Sequence, residues 1–433
     1  MSTKDIHIIG QGTYGCVYKP HFDCKTKKPK AYSKNFLSKI QKYDEVTKNE
    51  INIGERVKKI YQYRNRFAPI EETCDITIGE ITDSGIEKCK MLTQYEKQFK
   101  KNPKKSIDFK STKIYYAGKD SLHDHLESEI ISKDAKNKSK ANTYLKKIIN
   151  SHLYLLESLI LFKQNKLLHL DIKHNNIIHN GKSPIIIDFG ISYYSEKLSM
   201  DKYVMEERPF GIKAPFYIPW PIEIILLSHI SHDKIDDNDK EKQNLLLNTP
   251  NKDSYLLDIF KLYEEKHLFL QSKKIFSDDE RKEYNEKITN WLKTLENKTW
   301  REIWVILTRS QFTWDNYSVA VMYLIELQIS GLLDISKVIK EEKSQSSYLV
   351  NYINSMKKMI TSLPEEREEP EETLSKYKTL FSKIPKNDHK KVVSKLDNML
   401  SINANIDEMK KQRAIINAET VKNEDISKKL IKA

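Results

Sequence analysis

The chain is poor in the residues that would mark a secreted, metal-clipped or membrane-spanning protein. Only four cysteines occur in 433 residues, Cys16, Cys24, Cys74 and Cys89, with no C-x-x-C pair and no nearby His-x-x-x-His. That pattern argues against a zinc module and a disulfide frame, and it fits free thiols in a reducing compartment such as the cytoplasm. No run of eighteen apolar residues appears, and Met1-Ser2-Thr3-Lys4-Asp5 carries no apolar signal core, so neither a membrane span nor secretion is expected. The Asn-x-Ser/Thr triplets at Asn137, Asn297 and Asn316 then carry no glycan. Also absent is a stripe of aromatic residues interleaved with basic ones. The net charge of +13 comes from lysines that fit solvated faces, so nucleic acid is not expected and acidic partners are favoured only weakly.

What is present is a pair of short acidic stretches beside apolar runs. Leu168-His169-Leu170-Asp171-Ile172-Lys173-His174-Asn175-Asn176 follows a segment, Tyr144 to Phe162, whose apolar residues recur at three and four, which predicts a buried helix. Pro184 to Ile187 reads as a buried strand that ends at Asp188-Phe189-Gly190. Within one loop Asp171, Lys173 and Asn176 offer a carboxylate, a point cation and an amide oxygen, and Asp188 offers a second carboxylate at a strand end. Those residue types suit phosphoryl transfer, which needs a group that orients the attacking hydroxyl, a cation to neutralise the transferred group and oxygen ligands for Mg²⁺.

In this order, H-x-D-x-K-x-x-N followed by D-F-G resembles the catalytic core of the eukaryotic-type serine/threonine protein kinases. Earlier, Gly10-Gln11-Gly12-Thr13-Tyr14-Gly15-Cys16-Val17 matches that family's G-x-G-x-x-G-x-V lid between two strands. A Rossmann turn shares its first six positions but needs a helix directly after it, whereas Val17-Tyr18-Lys19-Pro20 favours a strand. The resemblance implies an α+β, two-lobed fold with a small β-rich N-lobe over residues 1–116 and a larger, mainly α-helical C-lobe over 117–375. A helical insertion is expected at about 229–312, and a charged helical tail over 376–433. It implies ATP and Mg²⁺ as cofactors, protein substrates as partners, and catalysis by Asp171 and Lys173 with Asn176 and Asp188 on the metal. Lys34, despite Ser33 in place of the usual wording, is the expected phosphate-bridging lysine. Its partner is Glu50 on a helix from Asp44 to Tyr61, with Glu45 and Glu55 as rivals. Backbone groups of Tyr115 to Ala117 would meet the adenine edge.

Other expectations follow from the same resemblance. Glu223, in Pro221-Ile222-Glu223 instead of Ala-Pro-Glu, should pair with Arg367. Asp315 should open an all-apolar core helix, with Asp253 as competitor. Leu170 replaces an arginine that pairs with an activation-segment phosphate in many relatives, so phosphorylation at Ser192, Ser195 or Ser199 should not be required. Lys173 favours serine/threonine over small-molecule acceptors. The lysine-rich wording looks most like kinases of giant DNA viruses, which implies host-cell cytoplasm or a virion. A silent scaffold and a small-molecule phosphotransferase stay as alternatives.

Overall fold

Short strands with mixed burial build the first of two units, formed by Met1–Ser121 together with Asn176–Ser192. The computed structural model describes residues 7–11, 15–26, 28–29, 35–83, 90–101, 109–131, 139–198, 214, 216–235, 239–267, 269–342, 347–401, 407 and 411. In chain order the strands are β1 (His7–Gln11), β2 (Gly15–Lys19), β3 (Phe22–Asp23), β4 (Lys28–Pro29), β5 (Phe36–Lys42), β6 (Ile70–Ile76) and β7 (Phe109–Tyr115). Among the described residues β1-β2-β5-β7-β6 form one antiparallel five-stranded sheet, and β3 pairs with β4. Cys16, Tyr18, Phe22, Ile40, Ile76 and Phe109 line its buried side. Gly15 is fixed by packing, because a Cβ there would lie 2.6 Å from the Ile40 carbonyl oxygen of the neighbouring strand.

Helix α1 (Glu45–Val57) is started by Asp44, whose side chain accepts from the Thr47 amide. It buries Glu50, Ile53 and Val57, and it ends four residues before the expected Tyr61. Helices α2 (Ile78–Asp83) and α3 (Lys90–Lys101) follow β6, in a stretch the sequence left irregular. A second sheet of β8 (Asp120–Ser121), β10 (Ile177–His179) and β11 (Pro184–Ile186) closes this unit. Its β11 lies where the Pro184–Ile187 strand was expected.

The cysteine expectation is overturned. Cys24 and Cys74 form a disulfide with Cα atoms 5.6 Å apart, and Cys16 is also disulfide-bonded; Cys89 lies outside the described residues. The bond spans 50 residues, so it rests on the pairing of β6 within the sheet and not on any local spacing. The argument for a reducing compartment goes with it.

The second unit, Leu122–Asn175 with Tyr193–Ala433, is helical. It holds α4 (Leu122–Ile131), α5 (Lys140–Gln164), α6 (Ile222–Asp233), α7 (Lys240–Leu247), α8 (Tyr255–Lys266), α9 (Asp278–Lys293) and α10 (Trp300–Thr308). Then come α11 (Trp314–Ile329), α12 (Leu332–Glu341), α13 (Tyr348–Thr361), α14 (Pro370–Ser382) and α15 (Lys386–Leu400). Strands β9 (Leu167–Leu168) and β12 (Tyr193–Tyr194) pair beside them. α5 starts at Lys140, four residues before the expected Tyr144, because Ser139 caps it and Asp397 accepts from the Ser139 hydroxyl. Asp239 caps α7 by accepting from the Glu241 and Lys242 amides. The expected charged helical tail over 376–433 begins inside α14 and continues into α15. Val392, Leu396 and Leu400 of α15 are buried, worth about 1.5–3 kcal/mol each, and a helix of this length is marginal in water without such packing.

The core axis of this unit is α11, buried at every position but Gln328. No single helix among the described residues is long and apolar enough to cross a membrane.

Candidate functional site

Two constellations carry the chemistry, one in each unit. In the sheet unit the lysine that meets Glu50 is Lys39, not Lys34, which lies outside the described residues together with Gly12, Thr13 and Tyr14. Lys39 sits on β5 directly opposite Val17 of β2. Its ammonium donates to Glu50 Oε1 and Oε2 at 3.1 and 2.9 Å and lies 3.5 Å from Asp188 Oδ1. Gln41 Nε2 donates to Glu50 Oε2 at 3.0 Å, holding the carboxylate from the other side. Glu50 is 3% exposed, whereas its rivals Glu45 and Glu55 pair with Lys48 and Lys58 on the helix surface. Burial pulls the Lys39 ammonium down, but the Asp188 and Glu50 carboxylates outweigh it and hold the group above its ordinary range.

Asp188 follows β11 in a left-handed conformation, φ 65°, which an aspartate tolerates better than most residues. Its side chain is 45% exposed, while Phe189 next to it is buried. Asn49 of α1 donates to the Gly190 and Ser192 carbonyls at 3.1 and 2.8 Å, tying the helix to this segment. Asn176 lies across the β10–β11 hairpin from Ile187, whose amide donates to the Asn176 carbonyl at 3.0 Å. Gly10 and Gln11 lie on β1, with Gln11 opposite Cys16. Tyr115 ends β7 opposite Phe36, the Tyr116 amide donates to the Asn35 carbonyl at 2.9 Å, and Ala117 is buried. Gly118 then takes φ +150°, where a Cβ would meet the His179 carbonyl oxygen at 2.6 Å.

The helical unit positions the Asp171 loop from α11. Asp315 Oδ2 accepts from the His169 amide at 2.7 Å and Oδ1 from the Leu170 amide at 2.8 Å. Burial pushes its carboxyl up, against the pull of His169 and of the two amides. Leu170 has φ 62°, a conformation costing a branched residue on the order of 1–3 kcal/mol. It is held there from both ends, since Trp220 Nε1 donates to its carbonyl at 2.7 Å. Asp253, the competitor, instead accepts from Tyr255 at the start of α8.

Asp171 itself is met by Lys173, Nζ to Oδ1 at 3.2 Å, and by the Tyr217 hydroxyl, which donates to the same oxygen. Burial first, then the Asp171 charge, holds the Tyr217 phenol well above its ordinary range, so it stays a donor. Farther along, Arg367 grips Glu223 with two parallel bonds, 2.5 and 2.9 Å, with side-chain exposures of 1% and 0%. His152 is a core residue: it stacks on Tyr323 at 4.1 Å, bonds Tyr352 through Nδ1, and burial lowers it to about 3.

The structure thus brings Glu50 and Asp188 to one ammonium, and Asp171 and Lys173 to one tyrosine. Sequence reasoning missed Lys39 and Tyr217. Neither had a local signal: Lys39 is placed by the register of β5 against β2, and Tyr217 lies 46 positions from Asp171. No protein-family model matches the chain, and no curated protein matches it either.

Proposed function

We propose that the chain is a serine/threonine protein kinase that transfers the γ-phosphate of ATP to a protein hydroxyl. The observation that carries this reading is the shared ammonium of Lys39, half-buried against Glu50 and within 3.5 Å of Asp188. Such an arrangement fixes a cation by a glutamate on one side and leaves a half-exposed carboxylate on the other, which suits phosphate neutralisation beside a metal ligand. Asn176 and Asp188 supply oxygen donors only, the set Mg²⁺ prefers, and they would hold it. When bound, Mg²⁺ would supply charge neutralisation for the phosphates.

In this reading the Asp171 carboxylate accepts a hydrogen bond from the substrate hydroxyl and takes its proton as the oxygen attacks. Its backbone neighbours are locked by Asp315 and Trp220, which keeps the carboxylate aimed. Lys173 stands beside Asp171 as the cation nearest the reacting hydroxyl. As the hydroxyl oxygen bonds to the γ-phosphorus, the bond to the bridging oxygen breaks and ADP leaves. Ser192 and Ser195 are buried, which supports activity without activation-segment phosphorylation; Ser199 lies outside the described residues.

The test is transfer of labelled phosphate from ATP with Mg²⁺ to a mixed protein pool by the intact chain, Asp171→Asn and Lys39→Met. Phosphoserine or phosphothreonine that appears only with both residues intact is the expected result. A second reading, a silent nucleotide-binding scaffold, is favoured by the Tyr217 hydroxyl on Asp171; ATP binding with no transfer by any of the three proteins selects it.

A further inference from the structure

We propose that His123, His174 and Glu326 form a binding site for one zinc-class divalent cation inside the helical unit. This assignment stands independently of the kinase reading. The three side chains come from α4, from the loop directly after Lys173, and from α11, and one ligand atom of each lies within 4.8 Å of the others. His123 Nδ1 is 2.6 Å and His174 Nε2 3.8 Å from the same oxygen, Glu326 Oε2. The second carboxylate oxygen, Oε1, accepts from the Tyr144 hydroxyl at 2.8 Å, which turns Oε2 toward the two rings. The rings meet edge to face, centroids 4.9 Å apart at 66°, so their nitrogens converge instead of their faces stacking.

Two independent features make this more than a chance cluster. Glu326 is 2% exposed, and a carboxylate so deeply buried needs positive charge beside it. His123 is 6% exposed and faces that carboxylate through Nδ1, so a second polar ring is committed to the buried cluster. A cation at Nδ1 would require the neutral imidazole to carry its proton on Nε2, so the ring binds without gaining or losing a proton.

The donor set selects the ion. Two imidazoles and one carboxylate are a zinc set with a fourth position open, bonded at about 2.0–2.2 Å, which places neighbouring ligand atoms about 3.3 Å apart. The observed 2.6 and 3.8 Å bracket that value. Mg²⁺ prefers oxygen alone, and Zn²⁺ outranks Mn²⁺ and Fe²⁺ at nitrogen-containing sites. His174 is the most exposed of the three, with a side chain at 20%, and gives the ion its entry. Through His174 the ion would clamp the loop that carries Lys173 onto α11, with Tyr144 as a positioning residue.

The test uses the full chain stripped with a chelator, titrated with Zn²⁺ alone, desalted and measured by elemental mass spectrometry. Co²⁺ serves as a spectroscopic substitute. One zinc per chain is expected, with Co²⁺ giving the intense visible bands of a four-coordinate N/O site. Zinc in hundredfold excess over its dissociation constant should raise the melting midpoint by about 4 °C. His174→Asn, which spares the two deeply buried ligands, should lose the zinc while keeping its circular dichroism. Tyr144→Phe should weaken binding about 10- to 100-fold, and Asp188→Asn should retain the metal. Folded wild-type protein that keeps no zinc, equal retention by His174→Asn, or loss in Asp188→Asn each overturns the proposal.

Discussion

Two ion pairs built from similar charges differ in nearly every respect that matters. Arg367 and Glu223 close on each other with both forks used, buried to 1% and 0%. Lys39 divides one ammonium between Glu50 and Asp188, with Asp188 45% exposed. A guanidinium matched to a carboxylate is a fixed joint, whereas an ammonium on a flexible stem can change partners. The first pair therefore holds shape, and the second keeps a charge available. Opposite charges thus make a fixed joint in one unit and a shared, adjustable contact in the other.

The largest effect should come from breaking the fixed joint. Arg367→Met strands a buried carboxylate and should cost about 3–5 kcal/mol in denaturant unfolding, while adding Glu223→Gln should recover part of it; a loss below ~1 kcal/mol would make the two pairs alike. Next, Lys39→Met should lower phosphate transfer by about 10²–10³-fold with little change in stability. If Lys34→Met alone produced that loss, the role would return to the earlier lysine and the contrast would collapse.

A smaller, graded effect separates the units by pH. His152 and His267 in the helical unit are each lowered to about 3 by burial. The unfolded chain binds protons at these sites below its ordinary value of 6.5 and the folded chain does not. Stability is therefore full above pH 6.5 and falls between 6.5 and 3, by up to about 1.4 kcal/mol per pH unit per imidazole. Unfolding curves at stepped pH should show this slope, and His152→Phe should reduce it; an unchanged slope would remove His152 from the account. The smallest effect concerns Tyr217→Phe, which takes away one bond to Asp171 and should lower kcat about tenfold at unchanged KM for ATP. A rise in kcat would instead mean that the phenol occupies the substrate's position.

Much of the helical unit could be read from sequence because its key residues are chemically singular. Asp315 stands before a helix apolar on every side, and the Glu223–Arg367 pair joins an acid and a base that both need a buried partner. Glu50 was distinguishable from Glu45 and Glu55 because it shares the inward stripe with Ile53 and Val57. Lys39 was not legible: among 74 lysines and arginines, residue type says little, and only the register of β5 against β2 singles it out. Strand β6 and the Cys24–Cys74 bond depend on pairing across dozens of residues, which no local period encodes. Tyr217 reaches Asp171 over 46 positions of chain for the same reason.

The grip of Asp315 on the His169 and Leu170 amides has a consequence in time. The two partners are 145 positions apart along the chain from Leu170 to Asp315, so a ribosome making about 5–20 residues per second leaves a gap of roughly 7–30 seconds between them. Throughout that gap the loop has its aspartate but not its anchor, and Leu170 has no reason to hold a left-handed backbone. The growing chain carries its Asp171 loop slack until Asp315 has been made.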